Sequence, residues 1–181
     1  MAKYLTPLLW ASIGEVVIAA RSAMDWLQQN VGKGFCSWRT ILGFPVYQHY
    51  RENNMIRVKT NLNGEIQVNI PDNTVDGTPA KYLQRNGISP NFVHSVDSTH
   101  MVLTINGTDL TSYAMIHDDF GTHAGNTEHL YRAIRKSFKY MYSNFDLLEH
   151  WALQQGIAVD SIPKRGVYNI KDITNARYFF G

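Results

Sequence analysis

Two adjacent carboxylates, Asp118 and Asp119, are preceded directly by His117 and by the apolar run at residues 113–116. The run ends abruptly in charge, and Gly121 follows soon after, which predicts a buried strand leading into a tight turn. Ionised carboxylates resist burial, so a divalent cation or a basic partner is expected to face them. Mg²⁺ prefers oxygen ligands and often takes one or two carboxylates plus substrate phosphates. A solvated Asp-Asp turn is the alternative.

A helix is predicted over residues 91–103, before this segment. One of its faces carries apolar or small residues at three- and four-residue steps: Phe92, Val96, Thr99 and Leu103. Another face carries His94, Asp97 and Met101. This periodicity is typical of a helix that packs through one face.

Three more helices are predicted from the same periodicity. Residues 5–29 should form a core helix, with its main apolar stripe at Leu5, Leu9, Ile13, Val16, Val17, Ala20, Met24 and Leu27. Residues 127–142 should form another, with one face made by Leu130, Ile134, Phe138 and Met141. A last helix is expected at residues 147–155.

Extended structure is predicted in the first half of the chain. Residues 43–47 indicate a turn leading into a strand, and residues 55–60 and 65–70 alternate around Asn63-Gly64, a common hairpin turn pair. The polar segment 71–79 indicates a loop within one domain. Helices packed on a small antiparallel sheet make the expected fold class α+β.

The composition is that of one globular domain. The chain has 181 residues, 44% apolar, with 17 basic against 15 acidic side chains. The stretch after Leu130 has a local basic excess. Cys36 is the single cysteine, which excludes an intrachain disulfide and a thiolate zinc cluster. No apolar run approaches the roughly 18 residues that span a bilayer, so no membrane partner is expected.

Several segments, in order, resemble phage-type and mitochondrial single-subunit RNA polymerases. Residues 114–122 resemble the motif C hairpin of that family, and residues 87–95, with Asp97 and His100, resemble the helix that precedes it. Residues 2–10, 43–46 and the aromatic end at 178–181 also match. The resemblance covers nearly the whole chain and implies that residues 1–181 are the C-terminal palm region of such an enzyme.

The resemblance implies roles for matching positions. Asp118 matches the motif C carboxylate that binds catalytic Mg²⁺, and His117 matches a residue beside the primer terminus. His94 matches a histidine near the nascent base pair. Asn91, in the same helix motif, and Phe180, in the aromatic tail, join the implied primer and nucleic-acid contacts. Asp119 stands where phage enzymes commonly have serine, so it is either an outer metal ligand or solvated.

The resemblance also implies missing parts, since no segment matches motif A or the fingers helix. We therefore expect template-directed nucleotide transfer from NTPs to RNA on a DNA template only with a partner subunit, or the rest of a longer chain, that supplies them. Phage-like compactness and the lack of a transit peptide favour the cytoplasm of a phage-infected bacterium. Two alternatives are a palm fragment that only binds nucleic acid and a His-Asp metal-dependent phosphohydrolase, which would need the doublet on a helix.

The first helix carries apolar residues beyond its main stripe: Trp10, Ile18 and Trp26. Such breadth predicts burial on more than one side. A second face left exposed would be a partner surface. The alternative is that later helices of the same chain cover it.

Overall fold

The computed structural model describes residues 2–52, 54–61, 64–72, 77–116 and 118–179. The helices are α1 (Ala2–Val16), α2 (Ile18–Asn30), α3 (Lys81–Asn106), α4 (Thr127–Asn144) and α5 (Leu147–Gln155). The strands are β1 (Cys36–Arg39), β2 (Pro45–Gln48), β3 (Met55–Asn61), β4 (Glu65–Pro71), β5 (Ala114–Ile116) and β6 (Asp119–Gly121). The predicted α+β class is confirmed.

The strands pair as hairpins rather than as the single small sheet that was expected. Within the described residues, β1 pairs with β2, β3 with β4 and β5 with β6, each antiparallel and each a separate two-stranded sheet. Two-stranded hairpins are marginal alone and need packing against other elements. The helices therefore carry most of the structural framework.

The long first helix was predicted wrongly as one element. α1 and α2 meet at Val17, whose φ of −112° and ψ of 58° leave the helical region, and their axes are bent by 110°. Three β-branched residues in a row occupy the break, at positions 16–18. β-branched side chains lose rotamer freedom in a helix, which gives the break a local cause. The apolar spacing continues across it and so did not reveal it.

Of the two helices, α2 reaches the core and α1 does not. Trp26 and Leu27 on α2 are buried, and the Trp26 ring meets the Trp151 ring edge-on at 5.6 Å between centroids. Trp26 belongs to the second apolar face, and for this residue the alternative holds, since α5 of the same chain covers it. α1 exposes apolar side chains along its length, including Leu9 and Trp10, so the prediction of a core helix fails for α1.

In the described residues, no single helix has both the length and the apolar character to cross a membrane. The bent pair α1 and α2 has that length and apolar character only when the two helices are counted together.

The core lies where α2, β1, α3 and α5 meet. Its buried residues are Trp26, Leu27, Cys36, Trp38, Ile88, Trp151 and Ala152. The indole N–H of Trp38 donates to Ser95 Oγ at 3.2 Å, which ties β1 to the middle of α3. Burial raises the pKa of the Cys36 thiol to about 11, so this cysteine is an inert part of the core.

The helix α3 begins ten residues earlier than the prediction at residue 91, because it continues through Pro90. A buried amide pair holds this added segment: Gln48 Nε2 donates to Gln84 Oε1 at 2.8 Å, and Gln84 Nε2 donates to the Gln48 carbonyl at 2.9 Å. Both side chains are buried, so their mutual hydrogen bonds remove a large desolvation cost. The pair fixes β2 against α3.

The C-terminal helices agree with the predictions. The predicted face of α4 is largely buried, with Met141 fully so, and α5 has the predicted bounds. At the start of α5, the Asp146 carboxylate accepts a hydrogen bond from the Glu149 N–H. Gly156 ends the helix in the left-handed region at φ 69°. Local sequence signals are therefore sufficient for this part of the chain.

The predicted β3–β4 hairpin is also confirmed in both strands, with Ile56 opposite Ile70 and Val58 opposite Val68. Asn63 of the predicted turn, and residues 73–76 of the predicted loop, lie outside the described residues. Gly64 has φ 132°, a conformation that favours glycine.

Candidate active site

The β5–β6 hairpin carries the predicted acidic turn. Ala114 pairs with Gly121 and Ile116 pairs with Asp119, so Asp118 lies in the connecting turn. A Cβ on Gly121 would lie 3.0 Å from the Ala114 carbonyl oxygen, so the close approach of the strands favours glycine there. His117 lies outside the described residues, and its predicted role stays a prediction.

The strand before the turn is not buried, contrary to the prediction. Ile116 is 67% exposed and Met115 is only half-buried. The apolar run predicted burial, but in the described residues this hairpin has no further strand beside it. Asp118 and Asp119 are exposed at its end, where water or a ligand has access to their oxygens.

The hairpin is attached to the helices through its second strand. The Phe120 ring lies 5.5 Å from the ring of buried His100 on α3. His100 Nε2 lies 2.9 Å from the Ile134 carbonyl of α4, and because a carbonyl only accepts, Nε2 carries the proton. Burial lowers the pKa of His100, opposed by this hydrogen bond and by the charge of Asp97. A neutral histidine thus joins α3, α4 and the hairpin.

The polar face of α3 lies beside the acidic turn. Asp97 is exposed at the surface, but the protein around it partly desolvates its carboxylate and so raises its pKa. The charge of Asp118 raises this pKa further, and His94 and His100 lower it. Asp97 therefore lies within reach of the charges of His94 and Asp118. Asp97 was not among the predicted site residues. Its position three residues after His94, on the same helical face, was the available signal.

His94 and Asn91, the two predicted nucleic-acid contacts on α3, both line an open groove of about 590 Å³ between β2 and α3. The groove also carries aromatic and polar side chains, among them Phe44, Tyr47, His49, Tyr50 and Ser98. His94 is exposed. Asn91 is half-buried, and its Nδ2 donates to Gln48 Oε1 at 3.0 Å and to the Tyr50 hydroxyl at 3.1 Å. Its amide donors therefore serve the fold, and a nucleic-acid role for either residue stays a prediction.

Phe180, the third predicted nucleic-acid contact, lies outside the described residues. Its neighbour Phe179 packs edge-on against Phe138 of α4, with 5.0 Å between ring centroids. The end of the chain is thus held near α4. Sequence reasoning did not single out Arg135, whose guanidinium holds this tail, because a basic residue on an amphipathic helix is usually solvated.

The described residues, which exclude His117, contain no group of three or more His, Cys, Asp or Glu side chains arranged to hold a metal. The position of Asp118 in a hairpin turn disfavours a His-Asp phosphohydrolase, because that alternative needs the doublet on a helix. The donors available at the turn are the exposed carboxylates of Asp118 and Asp119. Such a pair suits Mg²⁺, which often combines one or two carboxylates with substrate phosphates and water.

Comparison with known proteins confirms the resemblance. A sequence-family model described as DNA-dependent RNA polymerase matches residues 1–158. The chain is 30% identical to the DNA-directed RNA polymerase of Enterobacteria phage K11, over 99% of this chain and 23% of that protein. It is 29% identical to T7 RNA polymerase of Escherichia phage T7, over 99% of this chain and 24% of that protein.

A plant relative gives the same result. The chain is 30% identical to DNA-directed RNA polymerase 1, mitochondrial, of Nicotiana sylvestris, over 99% of this chain and 18% of that protein. The chain spans less than a quarter of the length of these three relatives. Because the family model and the relatives align with most of its length, the chain belongs to the phage-type single-subunit DNA-dependent RNA polymerase family.

Proposed function

We propose that this chain is the C-terminal catalytic portion of a DNA-directed RNA polymerase. In this role it contributes to the transfer of nucleotides from NTPs to the 3′ end of RNA, directed by a DNA template. The observation that carries the proposal is the position of Asp118, exposed in the turn of a short hairpin and beside the polar face of α3. Family membership supplies the reaction class.

Asp118 is the residue that would hold catalytic Mg²⁺, with Asp119 as an outer ligand. The exposure of both carboxylates supports this assignment. When bound there, the cation would activate the RNA 3′-hydroxyl and stabilise the leaving pyrophosphate. The charge of Asp118 already raises the pKa of Asp97, so a cation at the turn would relieve repulsion within this acidic neighbourhood.

The groove beside His94 is the proposed path of nucleic acid. Phe44, Tyr47 and Tyr50 line it, and aromatic rings stack on bases without regard to their sequence. His94 lies on the helix that also carries Asp97, so the groove and the acidic turn share one supporting element. Template DNA and nascent RNA are the proposed occupants, with the primer end directed toward Asp118.

The proposed partner supplies motif A and the fingers, either as a separate subunit or as the rest of a longer chain. The broad apolar surface of α1 supports this part of the proposal, since Leu9, Trp10 and Val16 are all exposed. An exposed apolar patch of this kind marks a protein interface. We propose the cytoplasm of a phage-infected bacterium as the location, by analogy with the relatives from phages K11 and T7.

The decisive experiment compares RNA synthesis by the 181-residue chain alone and with a partner that contains motif A and the fingers. We expect synthesis only with the partner, and we expect Asp118→Asn to abolish it without impairing assembly. Asp119→Asn is the matched control and should lose less activity, because family members commonly carry serine there. Near-normal turnover of the Asp118→Asn complex in Mg²⁺ would overturn the assignment.

The alternative function, nucleic-acid binding without catalysis, is favoured by the basic excess after Leu130. It predicts that the complex binds template but makes no RNA. It also predicts that Asp118→Asn leaves template binding unchanged. The same two measurements, template binding and RNA synthesis, therefore separate the two functions.

A further inference from the structure

Arg135 on α4 is a charged side chain placed in the protein interior. It is 3% exposed, and among the described residues it is the only lysine, arginine, aspartate or glutamate in the buried class. Its Nη1 donates to the Ile173 carbonyl at 3.0 Å and to the Ala176 carbonyl at 2.9 Å. Both acceptors lie in the C-terminal segment, so one guanidinium holds that segment against α4.

Two aromatic rings complete the surroundings of the guanidinium. Its Cζ lies 3.9 Å from the ring centroid of Tyr131 and 5.3 Å from that of Phe179. The Nε of Arg135 is buried without a hydrogen-bond partner in the described part of the chain. An unpaired buried N–H is unfavourable. Among the described residues the guanidinium meets two neutral carbonyls and two aromatic rings, and these contacts compensate a buried charge less than a carboxylate would. Stability alone therefore does not account for an arginine here.

A continuous column of rings leads from this clamp to the acidic turn. Phe179 meets Phe138 at 5.0 Å between centroids, Phe138 meets His100 at 5.2 Å, and His100 meets Phe120 at 5.5 Å. Phe120 follows Asp118 by two residues and lies in the strand that begins at Asp119. The column is packed edge-on or tilted at each step, a favoured arrangement for aromatic pairs.

We propose that Arg135 is a positioning residue: it clamps the C-terminal segment on α4, and through the column Phe179–Phe138–His100–Phe120 it holds the hairpin that carries Asp118. Arg135 itself touches neither substrate nor metal in this proposal. The consequence for catalysis rests on the proposed function, whereas the mechanical link between the tail and the hairpin does not. The link can therefore be tested without measuring RNA synthesis.

The first test is hydrogen–deuterium exchange on the 181-residue chain at sub-micromolar concentration, comparing wild type, Arg135→Ala and Phe138→Leu. Arg135→Ala should speed exchange at 170–179 and also at 114–121, whereas Phe138→Leu should speed it at 114–121 with a smaller effect on the tail. Arg132→Ala is the matched control, because Arg132 lies on the same helix but is exposed and paired with Glu128. It should change neither segment.

The second test measures kcat and KM for NTP in the assembled polymerase, per active complex. Placement errors near 1 Å cost up to about a hundredfold in rate, so Arg135→Ala should lower kcat by roughly ten- to a hundredfold while KM changes little. The Mg²⁺ concentration for half-maximal rate should rise. A merely structural role would reduce the number of active complexes and leave these constants unchanged. Arg135→Lys, which keeps the charge but not the planar stacking, should recover part of kcat.

Distinct outcomes separate failure of the link from failure of the proposed function. Faster exchange in the tail with wild-type exchange at 114–121 would overturn the link, whatever the activity. A complex that is inactive with Asp118→Asn but normal with Arg135→Ala would keep the function and reject the positioning role. If Arg135→Ala does not fold, both the exchange and the kinetic measurements are made on Arg135→Lys and Phe138→Leu instead. Unchanged exchange at 114–121 in both variants would refute the proposal.

Discussion

Asp97 on α3 lies close enough to Asp118, in the β5–β6 turn, for the charge of Asp118 to raise the pKa of Asp97. Partial desolvation of the Asp97 carboxylate contributes more to this shift, and His94 and His100 oppose it. The two carboxylates are 21 positions apart in the sequence, on a helix and on a hairpin. Their proximity turns the pKa of Asp97 into a probe of the charge at the proposed metal site.

We expect Asp118→Asn to lower the pKa of Asp97, because the substitution removes a negative charge beside it. Mg²⁺ added to the wild-type chain should lower the pKa in the same direction. NMR titration of the Asp97 side chain measures both effects. An Asp97 pKa that is unchanged by the substitution and by Mg²⁺ would contradict the common neighbourhood of these groups.

Asp97 should also affect stability as a function of pH. Its pKa is raised in the folded state, so the folded chain binds the proton more tightly than the unfolded chain does. The free energy of unfolding should therefore fall as pH rises from the unfolded pKa through the folded pKa. Urea titrations across acidic pH measure this contribution, and Asp97→Asn should remove it. A pH dependence identical in wild type and variant would contradict this expectation.

His100 should have the opposite effect. Burial lowers its pKa, so the unfolded state binds the proton more tightly, and stability should fall as pH drops below about 6.5, the ordinary histidine pKa. His100→Gln retains an N–H donor toward the Ile134 carbonyl without a titrating ring, so it should weaken this acid sensitivity. Urea unfolding at neutral and mildly acidic pH provides the comparison. His123→Gln, at an exposed position, is the control and should leave the acid sensitivity unchanged.

The two tryptophans of the first helical region should respond differently to a charge. Trp26 is 7% exposed and packs on Trp151, so Trp26→Glu should lower the free energy of unfolding by about 3 to 5 kcal/mol or more. Trp10 is 47% exposed, so Trp10→Glu should change stability by only about 0.5 kcal/mol. Trp10→Glu should instead weaken assembly with the proposed partner. Urea unfolding and a binding titration measure the two effects, and equal assembly of wild type and Trp10→Glu would exclude α1 as the interface.

Gly87 should not tolerate a side chain. A Cβ at this position would overlap the ring of Tyr50, whose hydroxyl accepts a hydrogen bond from Asn91. Gly87→Ala should therefore lower the free energy of unfolding by about 1 to 3 kcal/mol and displace Tyr50 from the groove. Gly125→Ala, with no atom within 4 Å of its Cβ, is the control. Similar thermal stability of the two variants would show that the Tyr50 ring moves without cost.

Elements whose signals are local could be predicted from the sequence. The apolar face of α4, the bounds of α5 with its Asp146 cap and Gly156 end, and the strands of the β3–β4 hairpin all follow from spacing and turn residues. The strand and turn around Asp118 follow for the same reason. The family resemblance also needed only residues in order, and the comparisons confirm it.

Which apolar and polar side chains meet depends on tertiary packing. Periodicity cannot distinguish a helix that reaches the core from one that does not. The apolar spacing is the same in α1 and α2, yet Trp26 on α2 is buried and the apolar residues of α1 are exposed. Asn91 bonds to Gln48 because β2 packs on α3, a contact between segments 43 positions apart. Arg135 is buried because the C-terminal segment folds back over α4. These contacts depend on which distant segments pack together, and the local spacing of residues does not predict this.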